Sequence, residues 1–142
     1  MKISTKGRYS LALMLDLALH YNEGCTSIKE ISKRIGISDK YLEQIIIVLN
    51  RAGYVKSVRG AQGGYLLAKA PAEYTVGSII RLMEGSLAPV KCLEDESNQC
   101  ERAKTCVIVE VWEKLSEAVS SVIDNITLED LVSRHHEKIK DI

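Results

Sequence analysis

The stretch SIKEISKRIGISDKYLEQIIIVLNRAG, residues 27–53, decides the fold. Ser27 followed three residues later by Glu30 is a capping box, in which the hydroxyl takes an early backbone N–H and the carboxylate reaches back. The helix it opens, IKEISKRI, puts Ile28, Ile31 and Ile35 on one face. Gly36 breaks that helix, and Ser38 is a second N-cap. Leu42, Ile45, Ile46 and Leu49 then recur at helical spacing until Gly53 closes the second helix. Two short helices joined by a tight glycine-containing turn read as a helix-turn-helix.

The second helix of such a unit enters the DNA major groove, and its first residues meet base edges. Here the outward residues are Asp39, Lys40, Tyr41, Glu43 and Gln44, then Ile47 and Arg51. Gln can pair two atoms of adenine and Glu can accept from cytosine, so Glu43 and Gln44 are candidate base readers. Lys40, Tyr41 and Arg51 suit phosphate contacts, which set register without reading sequence. Ser38, at the helix start, joins the candidate DNA-binding set. A solvated helix also carries such residues, so the flanking sequence matters. Downstream, YVKSVRGAQGGYLLAK holds two β-like runs around RGAQGG, a hairpin with a glycine-rich tip. Arg59 sits at the tip, where an arginine can enter the negative minor groove. Gly60 and its neighbouring glycines let backbone approach phosphates closely. Upstream, Leu11, Met14, Leu15, Ala18 and Leu19 predict a helix over residues 5–21 that stops at Asn22-Glu23-Gly24. The fold class expected is mainly α with a small β wing: a winged helix-turn-helix.

Charge supports a polyanionic partner. The chain of 142 residues is neutral overall, with 19 Lys and Arg against 19 Asp and Glu. Residues 1–70 carry 11 basic against 5 acidic residues, and residues 71–142 carry 8 against 14. A basic half beside an acidic half suggests that one half meets nucleic acid. LALMLDLAL is too short to span a bilayer, and the N-terminus lacks a signal-peptide core, so a cytoplasmic protein is expected. Three scattered histidines, no nucleophile–base pair and no phosphate loop with a lysine argue against an enzyme.

The acidic half has its own logic. Thr75 caps a predicted helix over VGSIIRLME that ends at Gly85. From about residue 106 to 126 an apolar stripe runs through Ile108, Val111, Trp112, Leu115, Ala118, Val119, Val122 and Ile126. It is longer than a small domain needs and suits a partner helix. Thr127 starts a last helix, in which His135 and His136 suit the helix dipole or face solvent. Three regions follow: a DNA-binding domain over residues 1–85, a cysteine-containing sensor loop over 86–106, and dimerisation and C-terminal helices over 107–142.

Three of the four cysteines, Cys92, Cys100 and Cys106, lie in that loop, KCLEDESNQCERAKTC. In a reducing compartment clustered thiols favour metal or redox chemistry over structural disulfides. Thiolates bind soft metals and iron–sulfur clusters. The gaps are unlike the close pairs of zinc knuckles. Cys25 stands apart in EGCTS and reads as a small buried hydrophobe.

MKISTKGRYSLALMLDLALHY, ISDKYLEQI, AGYVKSVRGAQGGYLLAK and YTVGSIIRLMEGSLAPV together resemble the Rrf family of winged helix-turn-helix transcription regulators. The likeness is to members of the IscR, CymR and NsrR type, closest to the IscR-like ones. It implies a homodimeric DNA-binding regulator, usually a repressor, with the wing in the minor groove. It also implies that Cys92, Cys100 and Cys106 hold a [2Fe–2S] cluster sensing cluster supply or redox status. The fourth ligand is unassigned: the family's IscR-type histidine position is Val109 here, and an NsrR-type acidic position is Arg8. Glu110, and Asp16 or His20 from a partner chain, are candidates. The alternative branch is CymR-like: a cysteine-metabolism repressor without a cluster, controlled by a thiol switch, for which Cys25 is placed, or by a partner enzyme of cysteine synthesis.

Overall fold

The computed structural model describes residues 1–95 and 100–142; residues 96–99 of the cysteine loop lie outside the described residues. Ser4 caps α1 (Thr5–Leu19), its hydroxyl accepting from the Gly7 N–H at 3.1 Å. A 3-10 turn, Tyr21–Glu23, replaces the predicted last turn of that helix and leads into Gly24. Ser27 caps α2 (Ile28–Ile35) by accepting from the Glu30 N–H at 3.2 Å. Among the described residues no bond returns from the Ser27 N–H to the Glu30 carboxylate, so only half of the expected capping box forms. Gly36, at φ +71°, supplies the left-handed residue that turns the chain into α3 (Asp39–Arg51). Ser38 caps α3 by accepting from the Tyr41 N–H at 3.3 Å.

Past α3, the Tyr54 N–H returns to the Leu49 carbonyl at 2.9 Å across Gly53, which closes the helix in the expected place. The wing pairs β1 (Val55–Val58) with β2 (Gly64–Leu67), antiparallel, in register from Val55–Leu67 to Val58–Gly64. Thr26 adds a one-residue third strand, exchanging bonds of 2.9 and 2.8 Å with Tyr65. A Cβ at Gly64 would run into the Thr26 backbone, so this close pairing requires the glycine. The chain continues through α4 (Val76–Glu84), α5 (Val107–Ile123) and α6 (Leu128–Lys140).

The core sits where α1, α2, α3, α4 and α6 meet. Leu13, Met14, Ile31, Leu42, Ile45, Leu49, Ile79 and Leu128 are completely buried in it. α6 therefore returns to pack on α1, although the chain between them has run out along α5. Burying the Leu42–Ile45–Leu49 face of α3 forces Glu43, Gln44, Ile47 and Arg51 outward.

α5 is held differently. Val109 is its one buried residue, whereas Val107, Ile108, Val111, Leu115 and Val122 are exposed. Among the described residues, its polar ties to the winged body lie at the C-terminal end. Arg81 of α4 pairs with Asp124 and donates to Ser120 at 3.2 Å, and the Val76 N–H donates to the Ile126 carbonyl at 2.8 Å. No helix of the described chain is long and apolar enough to cross a membrane.

Candidate nucleic-acid interface and cysteine loop

The predicted DNA-binding residues fall on two neighbouring elements. Lys40, Glu43, Gln44 and Arg51 are exposed on α3, and Ser38 is exposed at its start. Tyr41 is half-buried, its ring edge-on to Tyr9 of α1 at 5.3 Å between centroids. The contact holds the first turn of α3 against α1. Arg59 and Gly60 are exposed at the tip of the wing, where Gly60 has φ +112° and accepts from the Gly63 N–H at 3.0 Å. The base of the wing is joined to α3, since Val55 and Leu67 are buried in the same core.

An ion pair between a buried carboxylate and a partly exposed guanidinium braces the two helices. Asp16 of α1 is 4 % exposed and accepts from Arg34 Nε at 2.9 Å and Nη2 at 2.7 Å. The bidentate bond to Asp16 raises the Arg34 pKa further above its already high value, against the opposing effect of burial. Asp16 is therefore committed within its own chain, and its placement as a cluster ligand gives way to this structural role. His20 Nδ1 lies 2.9 Å from the Asp16 backbone carbonyl, which fixes that ring nitrogen as the donor. His135 is half-buried and joins these side chains around a cavity of about 340 Å³, whereas His136 is exposed. The Asp in LALMLDLAL was a visible signal of a buried charge, because such residues are buried only when paired. Its partner was not visible, since the pairing runs through space between two helices.

In the acidic half, Cys92 and Cys106 are half-buried and Cys100 is exposed. Cys106 is the residue from which α5 starts. Three thiols are the right donor type for an iron–sulfur cluster. Among the described residues, however, no three Cys, His, Asp or Glu side chains gather at one point that can hold a metal ion. The donor chemistry fits a cluster; the single chain does not present it as an assembled site. Glu110 is exposed one turn into α5. Cys25 is half-buried beside the loop of the wing, not in the core, and its thiol donates to the Gln62 carbonyl at 3.2 Å.

The likeness to known proteins covers nearly the whole chain. The family model described as Rrf2, iron-dependent transcriptional regulator, matches residues 3–134. The HTH-type transcriptional regulator CymR of Bacillus subtilis is 50 % identical over 133 residues, which is 94 % of this chain and 91 % of the relative. The solved structure of that regulator superposes with a TM-score of 0.79 over 94 % of this chain and 98 % of its own. The HTH-type transcriptional regulator IscR of Erwinia tasmaniensis is 43 % identical over 94 % of this chain and 79 % of its own length. The structure of T. potens IscR is 46 % identical, with a TM-score of 0.79 over 97 % of this chain and 90 % of that one. Both branches match at similar depth, and the winged helix-turn-helix read from residues 27–69 is the fold they share. The chain belongs to the Rrf2 family of transcriptional regulators and is not an enzyme.

Proposed function

We propose that the chain acts in the cytoplasm as a homodimeric DNA-binding repressor that senses iron–sulfur cluster or redox status. In this reading Cys92, Cys100 and Cys106 hold a [2Fe–2S] cluster, and the fourth ligand is Glu110 or a partner-chain His20. The observation that carries it is the position of Cys106, which is both the third thiol of the loop and the starting residue of the exposed apolar helix α5. A change at the loop thereby acts on the helix that joins two chains. The family model's iron dependence and the IscR relatives support it. Bound there, the cluster supplies a redox-sensitive centre. The chain's own residues do the rest: α5 pairs two copies, Glu43 and Gln44 read bases, Ser38, Lys40, Tyr41 and Arg51 hold phosphates, and Arg59 with Gly60 enters the minor groove.

The test is anaerobic purification followed by an absorbance spectrum and assays of iron and acid-labile sulfide. Near-stoichiometric iron and sulfide, lost in Cys92→Ala, are expected. A colourless protein after attempted reconstitution rejects the cluster.

A second reading has its own observation. The Cys25 thiol is hydrogen-bonded to the wing, so two-electron oxidation by a peroxide converts it to a bulkier sulfenic acid beside the Gln62 carbonyl. A CymR-like thiol-switch repressor, alone or with a cysteine-synthesis enzyme as partner, follows from it. In that case Cys25→Ser abolishes the response of DNA binding to oxidant, while the triple replacement of Cys92, Cys100 and Cys106 leaves it intact.

A further inference from the structure

We propose that Ile47 is a specificity residue of the recognition helix and reads the C5-methyl group of a thymine in the major groove. The inference rests on the DNA-binding reading above and deepens it, adding an apolar contact to the hydrogen-bonding readers Glu43 and Gln44.

Position on α3 is the first argument. Ile45, Ile46 and Ile47 follow one another in the sequence, yet the first two are buried and Ile47 is 48 % exposed. At about 100° per residue, the buried Leu42, Ile45, Ile46 and Leu49 centre on one side of the helix, and Ile47 lies about 150° round from that centre. The exposed Lys40, Gln44 and Arg51 lie on one flank of Ile47 and the exposed Glu43 on the other, all within about 60° of it. An isoleucine at the margin of the core would extend that core; this one stands in the middle of the polar face. The other large apolar side chains exposed among the described residues lie on α5, near the two chain ends, or on the wing at Val58. Away from α5 and the chain ends, such exposure among the described residues is therefore confined to the reading helix and the wing.

The chemistry of the groove is the second argument. Each base pair shows the major groove a pattern of donors and acceptors, and thymine adds a methyl group. An isoleucine side chain neither donates nor accepts. Pressed on guanine, adenine or cytosine, it strips water from polar base edges and returns no hydrogen bond, which is costly. Pressed on thymine, it buries two apolar surfaces against each other. Branching at Cβ helps, because an isoleucine in a helix holds nearly one χ1 rotamer and loses little freedom on contact. Reach then places the base. From Glu43 to Ile47 the helix rises about 6 Å, close to two base-pair steps of about 3.4 Å. The thymine therefore lies within about two base pairs of the base that Glu43 reads.

The test uses the full-length chain, purified anaerobically, and a duplex that it selects itself from a randomised pool. Each thymine of the selected half-site is replaced in turn by deoxyuridine, which keeps the base pairing and removes the methyl group. Affinity is measured by fluorescence anisotropy for the wild type, Ile47→Val and Ile47→Ser. In the wild type, one such replacement per half-site is expected to weaken binding about fourfold, the worth of one buried methyl group. Ile47→Val keeps most of that sensitivity, and Ile47→Ser loses it. Serine and isoleucine have similar helix propensities and the position is exposed, so a folding defect does not mimic this result. Deoxyuridine tolerated at every thymine, or a penalty of the same size in Ile47→Ser, overturns the Ile47 contact and leaves the DNA reading standing. A selected site without thymine does the same. A pool that yields no preferred sequence overturns both.

Discussion

The hydroxyl of Tyr74 joins three segments of the chain. It donates to the Tyr54 carbonyl at 2.7 Å and accepts from the Lys69 N–H at 3.0 Å, so it clasps both ends of the wing to the start of α4. Burial raises the Tyr74 phenol above its ordinary pKa, and the backbone N–H groups of Lys69 and Ala68 act the other way. The folded chain binds this proton more tightly than the unfolded chain. Its stabilising contribution is complete below the ordinary tyrosine value of about 10 and is lost as pH rises through the folded value. Tyr74→Phe should lower stability by about 1–2 kcal/mol at neutral pH. It should also flatten the alkaline loss of stability, as urea unfolding at a series of pH values would show. At the same scale, Glu43→Ala should relax base preference more than total affinity, measured by selection from a randomised duplex pool. A uniform loss across sequences would reassign Glu43 to shaping the helix. Residue types were legible where a local rule governs them: the caps Ser27, Ser38, Thr75 and Thr127 each stand in place. Tyr9–Tyr41, Asp16–Arg34 and Cys25–Gln62 were not legible, because each joins residues distant in sequence and no periodicity encodes such a meeting.

At the scale of elements, periodicity told which face of a helix is apolar but not what covers it. α3 and α5 both show apolar stripes, yet that of α3 is buried in its own core while much of that of α5 is exposed. Val111 at 57 % and Ile108 at 60 % exposure lie one turn or less apart on the same flank. A second copy of α5 covers this flank in the proposed dimer. Val111→Glu should convert dimer to monomer in sedimentation equilibrium and weaken operator binding, because two half-sites no longer act together. A dimer that survives the charge would move the interface elsewhere. The destination of α6 escaped the sequence for a related reason. Its amphipathic pattern and its Thr127–Asp130 capping box are readable, but its return to α1 depends on the turn after α5. There the Thr75–Thr127 bridge and the bond from the Leu128 N–H to the Tyr74 carbonyl, at 3.0 Å, fold the chain back.

For the whole molecule, the basic first half lies in the winged body, while the acidic second half is divided: α4 and α6 join that body's core, and α5 carries its apolar flank outside it. If loop chemistry and DNA binding share one dimer geometry, linkage makes them reciprocal. Operator DNA should then change the affinity of the loop for its cluster by the same factor that the cluster changes operator affinity. Iron retention in a chelator series, with and without operator, measures the first factor, and binding titrations of the two forms measure the second. A factor of one in both measurements would show that the loop does not act on DNA binding.

The attachment of α5 at one end has a mechanical consequence. From Cys106 to the Arg81–Asp124 pair the helix runs about 25 Å, tied by polar bonds to α4 at one end and continuous with the cysteine loop at the other. A displacement of about 2 Å at the loop end tilts such a rod by about 5°. In the proposed dimer, two such helices pressed together would transmit that tilt to both winged bodies at once. The spacing of two recognition helices must match half-sites about 34 Å apart, so in the proposed sensor a small stroke at a thiol would become a change of gauge between the two reading heads.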